Sequence, residues 1–183
     1  MRRLALILVV LICGTASVAI NAWSAITDLR LSKVWRVTGV DADHAVLKGV
    51  ELKPDIIRAA IFPARPDRAV VYLRLRLKGD PATMREWLSC DANLTDKDGH
   101  VWSPLFGALQ QEVVMFLAED EKADQSCGQA LTDEPDEGGY VSSDQVYLVP
   151  VDRLDQLHLQ VSGLRTLPDA ISMKVTPVLR PVE

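Results

Sequence analysis

Val71-Tyr72-Leu73-Arg74-Leu75-Arg76-Leu77-Lys78 sets apolar side chains at every second position, with a tyrosine, two arginines and a lysine between them. Successive side chains of a strand point to opposite faces, so the stretch predicts a half-buried β-strand with Val71, Leu73, Leu75 and Leu77 toward a core. Gly79-Asp80-Pro81 then ends it with turn chemistry.

The same period recurs on either side. Leu88, Cys90, Ala92 and Leu94 alternate with Ser89, Asp91, Asn93 and Thr95 as far as Asp96-Lys97-Asp98-Gly99, after which His100-Val101-Trp102 resumes the pattern. That arrangement predicts a hairpin with Gly99 at a position of positive φ. Val146-Tyr147-Leu148-Val149 closes at Pro150, which cannot donate to a ladder. Leu157, Leu159 and Val161 alternate with polar neighbours, as do Ile171, Met173 and Val175, the last run limited by Pro177 and Pro181. Residues 34–40, 45–52 and 56–62 are strands of weaker pattern, and Glu112 to Leu117 fits a strand or a short helix. Ala60 to Arg68, with Pro63 and Pro66, reads as an irregular rim loop. Roughly seven to nine short strands, separated by turn signals and without helical periodicity, predict an all-β, Ig-like antiparallel β-sandwich, with a small barrel as the alternative. Each strand has two chemically different faces, which predicts sheets packed on one side and wet on the other.

The N-terminus is of another kind. Arg2 and Arg3 precede Leu4 to Thr27, 24 residues without a charge. At about 1.5 Å per residue such a helix crosses a hydrocarbon core of about 30 Å. The two arginines place its start in the cytoplasm, and Trp23 sits where an indole favours the head-group level. A cleaved signal peptide is the alternative, because Ser17-Val18-Ala19 has the small residues of a cleavage site. Length favours retention as a transmembrane signal anchor. Cys13 follows Ile12, whereas bacterial lipoprotein processing sites have a small residue there, so Cys13 reads as a lipid-facing or packing residue. The predicted organisation is therefore 1–27 as cytoplasmic start and membrane anchor, 28–33 as a short linker and 34–183 as one exported domain.

With 183 residues, 48% hydrophobic and 25% charged, the chain is neither disordered nor a multi-span membrane protein. Without Arg2 and Arg3 it holds 18 basic against 25 acidic residues, a charge of −7. Nucleic acid is an unsuitable partner for such a surface, and anionic lipid does not attract it.

Cys90 and Cys127 are the cysteines of the exported part, and in an oxidising compartment they form a candidate disulfide. Cys90 lies on the apolar face of its strand, so the bridge is expected in the core. The histidines, His44, His100 and His158, have no metal-ligand spacing and are read as exposed. No nucleophile elbow, phosphate loop or dinucleotide fingerprint is present, so no catalytic residue, metal ligand or cofactor is expected. Asp91, Asn93, Asp96 and Asp98 invite comparison with a calcium loop, but the glycine and the closing acid are out of place. The acidic stretches Glu119 to Asp124 and Asp133 to Glu137 read as solvated loops. Trp87 and Trp102 are expected in or beside the core.

The run from Ala69-Val70-Val71-Tyr72-Leu73 through Leu94-Thr95-Asp96-Lys97-Asp98-Gly99-His100-Val101-Trp102, then Val146-Tyr147-Leu148-Val149-Pro150 and Leu157-His158-Leu159-Gln160-Val161, resembles bacterial exported proteins with an Ig-like domain of the DUF4352 type. The likeness covers about residues 69–163. It implies an extracytoplasmic β-sandwich held by a signal anchor or lipid, and it implies no catalytic residues. The expected function is thus a non-enzymatic, membrane-tethered binding or accessory module of the cell envelope, whose partner is an envelope or membrane protein. The alternative is a cleaved, secreted protein that binds a metal or small ligand through its acidic loops.

Overall fold

The structure is a computed structural model that describes residues 13–19, 22–23, 25–26, 33–34, 36–118 and 126–181. Residues 13–19 and the described positions 22, 23, 25 and 26 are helical. Most of the proposed span from Leu4 to Thr27 lies outside the described residues, and among those described no helix is long and apolar enough to cross a membrane.

From Arg36 onward the chain is mostly β, in two sheets. The strands are β1 (Arg36–Val40), β2 (Ala45–Leu47), β3 (Val50–Ile61), β4 (Arg68–Lys78), β5 (Cys90–Thr95), β6 (Val101–Trp102), β7 (Val141–Pro150), β8 (His158–Gly163), β9 (Asp169–Lys174) and β10 (Val178–Arg180). Three short helices interrupt them: α1 (Pro81–Glu86), α2 (Ala108–Leu117) and α3 (Cys127–Ala130). One sheet runs β1-β9-β8-β5-β6; the other runs β10-β3-β4-β7, with β2 also on β3. The expectation of a purely antiparallel arrangement is corrected at two edges, where β1 lies parallel to β9 and β10 parallel to β3.

The alternation of β4 is realised, since Val71, Leu73, Leu75 and Leu77 have no exposed surface and join Leu94, Leu159, Val161 and Met173 of the other sheet in one core. Burying each such side chain contributes about 1.5–3 kcal/mol. Tyr147 crosses this core and donates its hydroxyl to the carbonyl of Ala92, 2.9 Å away. Burial pushes its phenol far up, so it stays a neutral donor.

The expectation of a wet outer face fails on the β3-β4-β7 sheet. There Tyr72 and Arg74 are buried along with the inner leucines. Helix α2 lays Val113, Val114 and Leu117 over Ala60, Val70, Tyr72 and Val146, making a second small core. Its C-terminal carbonyl, on Leu117, accepts from Arg58 Nη1 at 2.6 Å, a cation at the negative end of the helix. Arg74 meets Asp144 across the β4–β7 ladder in a two-pronged pair, with distances of 2.7 and 2.9 Å.

Several local readings also change. The segments 45–52 and 56–62 belong to a hairpin with a two-residue turn, Lys48-Gly49 at positive φ, followed by one continuous strand. Pro54 falls at a bulge, in the interval where β3 is flanked by β4 alone, a place where a residue without an N–H is tolerated. The rim loop shortens to 62–67. Gly79-Asp80-Pro81 is the start of a helix, α1: the Asp80 carboxylate accepts from the N–H groups of Ala82 and Thr83, and Pro81 fills the first turn. Leu88 is not on the apolar face of β5. It sits in a reversal at φ 61°, 64% exposed, a conformation that costs a residue with a Cβ about 1–2 kcal/mol. Trp87, just before it, is in the core. A Cβ on Gly163 would come within 2.8 Å of the Trp87 ring, so glycine there is what lets the indole dock.

Asp144→Ala removes the two-pronged partner of a buried guanidinium and is expected to cost about 3–5 kcal/mol. Arg74→Met combined with Asp144→Leu is expected to cost less than that single change, because both members of the pair are then replaced by apolar side chains. Urea unfolding of the two variants against the parent chain compares them.

Candidate functional site

The end of the sandwich remote from Arg36 gathers the most densely bonded polar cluster among the described residues. Its frame is the β5–β6 hairpin, closed by Gly99 at φ 84°. Asp96 leaves β5 with a carboxylate that has no exposed surface. One of its oxygens accepts from the backbone N–H of Asp98 at 2.9 Å and of His100 at 3.0 Å. The other faces His100 Nδ1 at 2.8 Å and takes Arg153 Nη1 at 3.2 Å. Arg153 stands on the 3-10 turn Val151–Gln156 that follows β7, and it also donates to Asp98. The His100 ring lies 6.0 Å from Trp102, centroid to centroid.

Burial pushes the Asp96 carboxyl up, yet the hydrogen bonds from the His100 ring and from the N–H groups of His100 and Asp98 outweigh it, so the group stays below its ordinary value. Arg153 is held further up by its bond to Asp98. Asp96, Asp98 and His100 bring ligand atoms within 4.8 Å of one another. The guanidinium of Arg153 is shared between the two carboxylates, so a cation bound by both would have to displace it. The arrangement fastens the β5–β6 hairpin to the turn after β7 more directly than it builds a metal cage.

The calcium comparison made on the sequence separates accordingly. Asp91 and Asn93 pair with Ser162 and Gln160 in the body of the β5–β8 ladder, away from the Asp96–Asp98 tip. Of the two acidic stretches, 119–124 lies outside the described residues. In the other, Asp136 closes its own loop by accepting from the N–H groups of Tyr140 and Gly138, both at 2.9 Å, and it pairs with Arg76. The Tyr140 N–H, ahead of the Arg76 charge, holds Asp136 below its usual range. Arg76 lies 4.4 Å over the Tyr140 ring, and Tyr140 donates to Glu51 at 2.8 Å.

Cys90 and Cys127 are joined in a disulfide with Cα atoms 5.1 Å apart, as the sequence suggested. Cys127 is buried, and Cys90 packs against the main core. The bond pins α3, which is capped by Ser126 and Gln129, to the start of β5. It spans 37 residues, a separation that contributes about 3–4 kcal/mol in the chain-entropy account. Trp87 is in the core and Trp102 beside it, again as expected. His44 and His100 are largely exposed, but His158 is half-buried against the Gln156 carbonyl. Arg153 escapes sequence reasoning altogether, since its partners are 55 and 57 positions away. Apolar side chains stand exposed around the second core: Phe106 just before α2, Met115 and Phe116 on it, and Leu148 on β7.

No family model matches the chain, so no match stands behind the resemblance to DUF4352-type domains. No curated protein matches it either. A solved structure described as a "putative lipoprotein from Staphylococcus aureus" is similar at 16% identity and a TM-score of 0.41, over 79% of this chain and 97% of that one. Likeness at that level leaves the argument to the residues themselves.

Asp96 and Asp136 are both depressed, so their stabilisation is complete above the ordinary carboxylate value of 3.8 and is lost as pH falls through the lower folded values. The thermal midpoint is expected to be level above about pH 5 and to drop below about pH 4. Asp96→Asn is expected to lower the midpoint at neutral pH and to flatten that acid limb, as read by circular dichroism melts.

Proposed function

We propose that this chain is a membrane-tethered, extracytoplasmic β-sandwich that serves the cell envelope as a non-enzymatic binding or accessory module. The observation that carries the reading is the Cys90–Cys127 bridge, a bond that persists in oxidising compartments, in a domain that follows an uncharged segment led by Arg2 and Arg3. The strand order supports an Ig-like class. Strands β3, β4 and β7 run side by side in one sheet and β9, β8, β5 and β6 in the other, the order of strands A, B, E and G, F, C, C′ in immunoglobulin sandwiches. The topology is thus that of a scaffold which presents loops and faces, and function on such a scaffold is read from its sites.

Two features support binding over catalysis. The polar clusters at Asp96 and Asp136 are each neutralised by an arginine and closed by backbone N–H groups. Their carboxylates are committed to holding loops. The exposed Phe106, Met115, Phe116 and Leu148 make an apolar surface of the kind found where proteins meet. An envelope or membrane protein is the partner this reading calls for.

Intact mass of the protein recovered from membrane and medium fractions, alkylated before and after reduction, tests the reading. Full-length mass in the membrane, with Cys90 and Cys127 alkylated only after reduction, is the expected result. Loss of about the first 19–25 residues with recovery in the medium would replace the tether by secretion. For that secreted form, millimolar calcium would raise the melting temperature if the acidic loops held the ion, by mass action on the folded state.

A further inference from the structure

The two ends of the sandwich differ in chemistry, and the chain enters at one of them. Arg36 opens β1 beside Asp169, and its N–H donates to the Pro168 carbonyl at 3.1 Å. At the same end lie Gly163, which closes β8, and Cys90, which opens β5. The loop 87–89 and the turn Leu164–Thr166 meet there: the N–H of Leu164 donates to the Ser89 carbonyl and that of Arg165 to the Trp87 carbonyl, both at 3.3 Å. The junction holds two leucines outward, Leu88 at 64% and Leu164 at 54% exposure. Arg85 and Arg165 flank them, both exposed.

Packing does not explain these leucines. Leu88 keeps a left-handed backbone that glycine would adopt without strain, and its side chain faces solvent. A strained, exposed, apolar residue points to something outside the fold. The chain itself supplies the candidate. Eight residues, 28–35, separate the uncharged segment from Arg36, and a fully extended link of that length reaches at most about 29 Å. From β1 across β9 and β8 to β5 is three strand spacings, about 14 Å. The leucine pair is therefore on the end that the tether holds toward the bilayer.

We propose that this end docks on the lipid surface, with Leu88 and Leu164 inserted at the head-group level and Arg85 and Arg165 directed to lipid phosphates. The inference rests on the tethered reading given above. Leucine provides apolar area for the acyl boundary, and guanidinium matches phosphate geometry while its stem stays in apolar surroundings. Glu86 and the Asp133–Glu137 loop add negative charge at this end, and the chain after Arg3 is acidic on balance. The contact is apolar in character, works on zwitterionic lipid, and depends on the tether to bring the domain within reach. The Asp96–Arg153 end then points away from the membrane.

The test uses the full chain carrying Cys13→Ser, with the disulfide left oxidised, reconstituted into phosphatidylcholine vesicles. A fluorophore is placed at Leu164→Cys or, as the distal control, at Lys97→Cys. Flotation of the vesicles reads the tether, and quenching by a lipid-borne quencher reads the contact. The expected result is flotation, with the label at position 164 losing most of its emission and the label at position 97 keeping it. Adding Leu88→Gly is expected to reduce the quenching at 164 while raising the melting temperature, because the strained backbone relaxes. Flotation with both labels unquenched, or both quenched alike, would overturn the docking and leave the tether standing. Failure to float would overturn the tether, and the docking with it.

Discussion

Val71, Leu73, Leu75 and Leu77 expose no surface, and what they demand sets the remaining layers. Each points from β4 across the sandwich, so a second sheet has to supply apolar side chains at matching depth; Leu94, Leu159, Val161 and Met173 do so. The strand that carries them is hydrogen-bonded on both sides, to β3 and β7. Its opposite face then has to be covered as well. Tyr72 is covered by α2, and Arg74 is neutralised by Asp144. A central strand buried on both faces thus accounts for a second small core and for a buried ion pair.

Three of the carboxylates among the described residues are each held by a guanidinium, two of them by backbone N–H groups as well. Asp144 takes Arg74, Asp96 takes Arg153 and two N–H groups, and Asp136 takes Arg76 and two N–H groups. Without its partner, desolvation would cost the buried Asp144 carboxylate several kcal/mol, of order the margin of a small domain. The loops at both ends of the sandwich are held by these bonds, and the disulfide fixes α3. Rigid loops on a rigid frame suit a module that presents surfaces.

The two ends of that frame differ in chemistry. At one, where the chain enters β1, stand two exposed leucines and two arginines; at the other, an arginine closes a pair of aspartates. The apolar side chains around α2 lie on a lateral face between them. In the tethered arrangement proposed above, these are the membrane end, the solvent end and a flank open to a partner.

Alternation alone determined the strands β4, β5, β8 and β9, because a half-buried strand writes its burial into every second residue. The cysteine pair determined the bridge, and Gly99 determined the hairpin turn. The helix α1 went unread because a proline and an aspartate cap a helix and make a turn with the same letters. The early part of β7, Ser143-Asp144-Gln145, is polar and yet buried, since its partners are a serine–glutamine bond and an arginine 70 positions away. The candidate site was half legible: Asp96, Asp98 and His100 stand together in the sequence, whereas Arg153 reaches them only once β7 has been laid against β4. Leu88 carried the wrong signal, an apolar residue in step with a strand that begins two residues later. Local pattern fixes which face of an element seeks the core, because that depends on a period of two. Which elements meet, which charges are joined and which apolar residues stay outside depend on pairing across the chain, and the tertiary structure alone decides those.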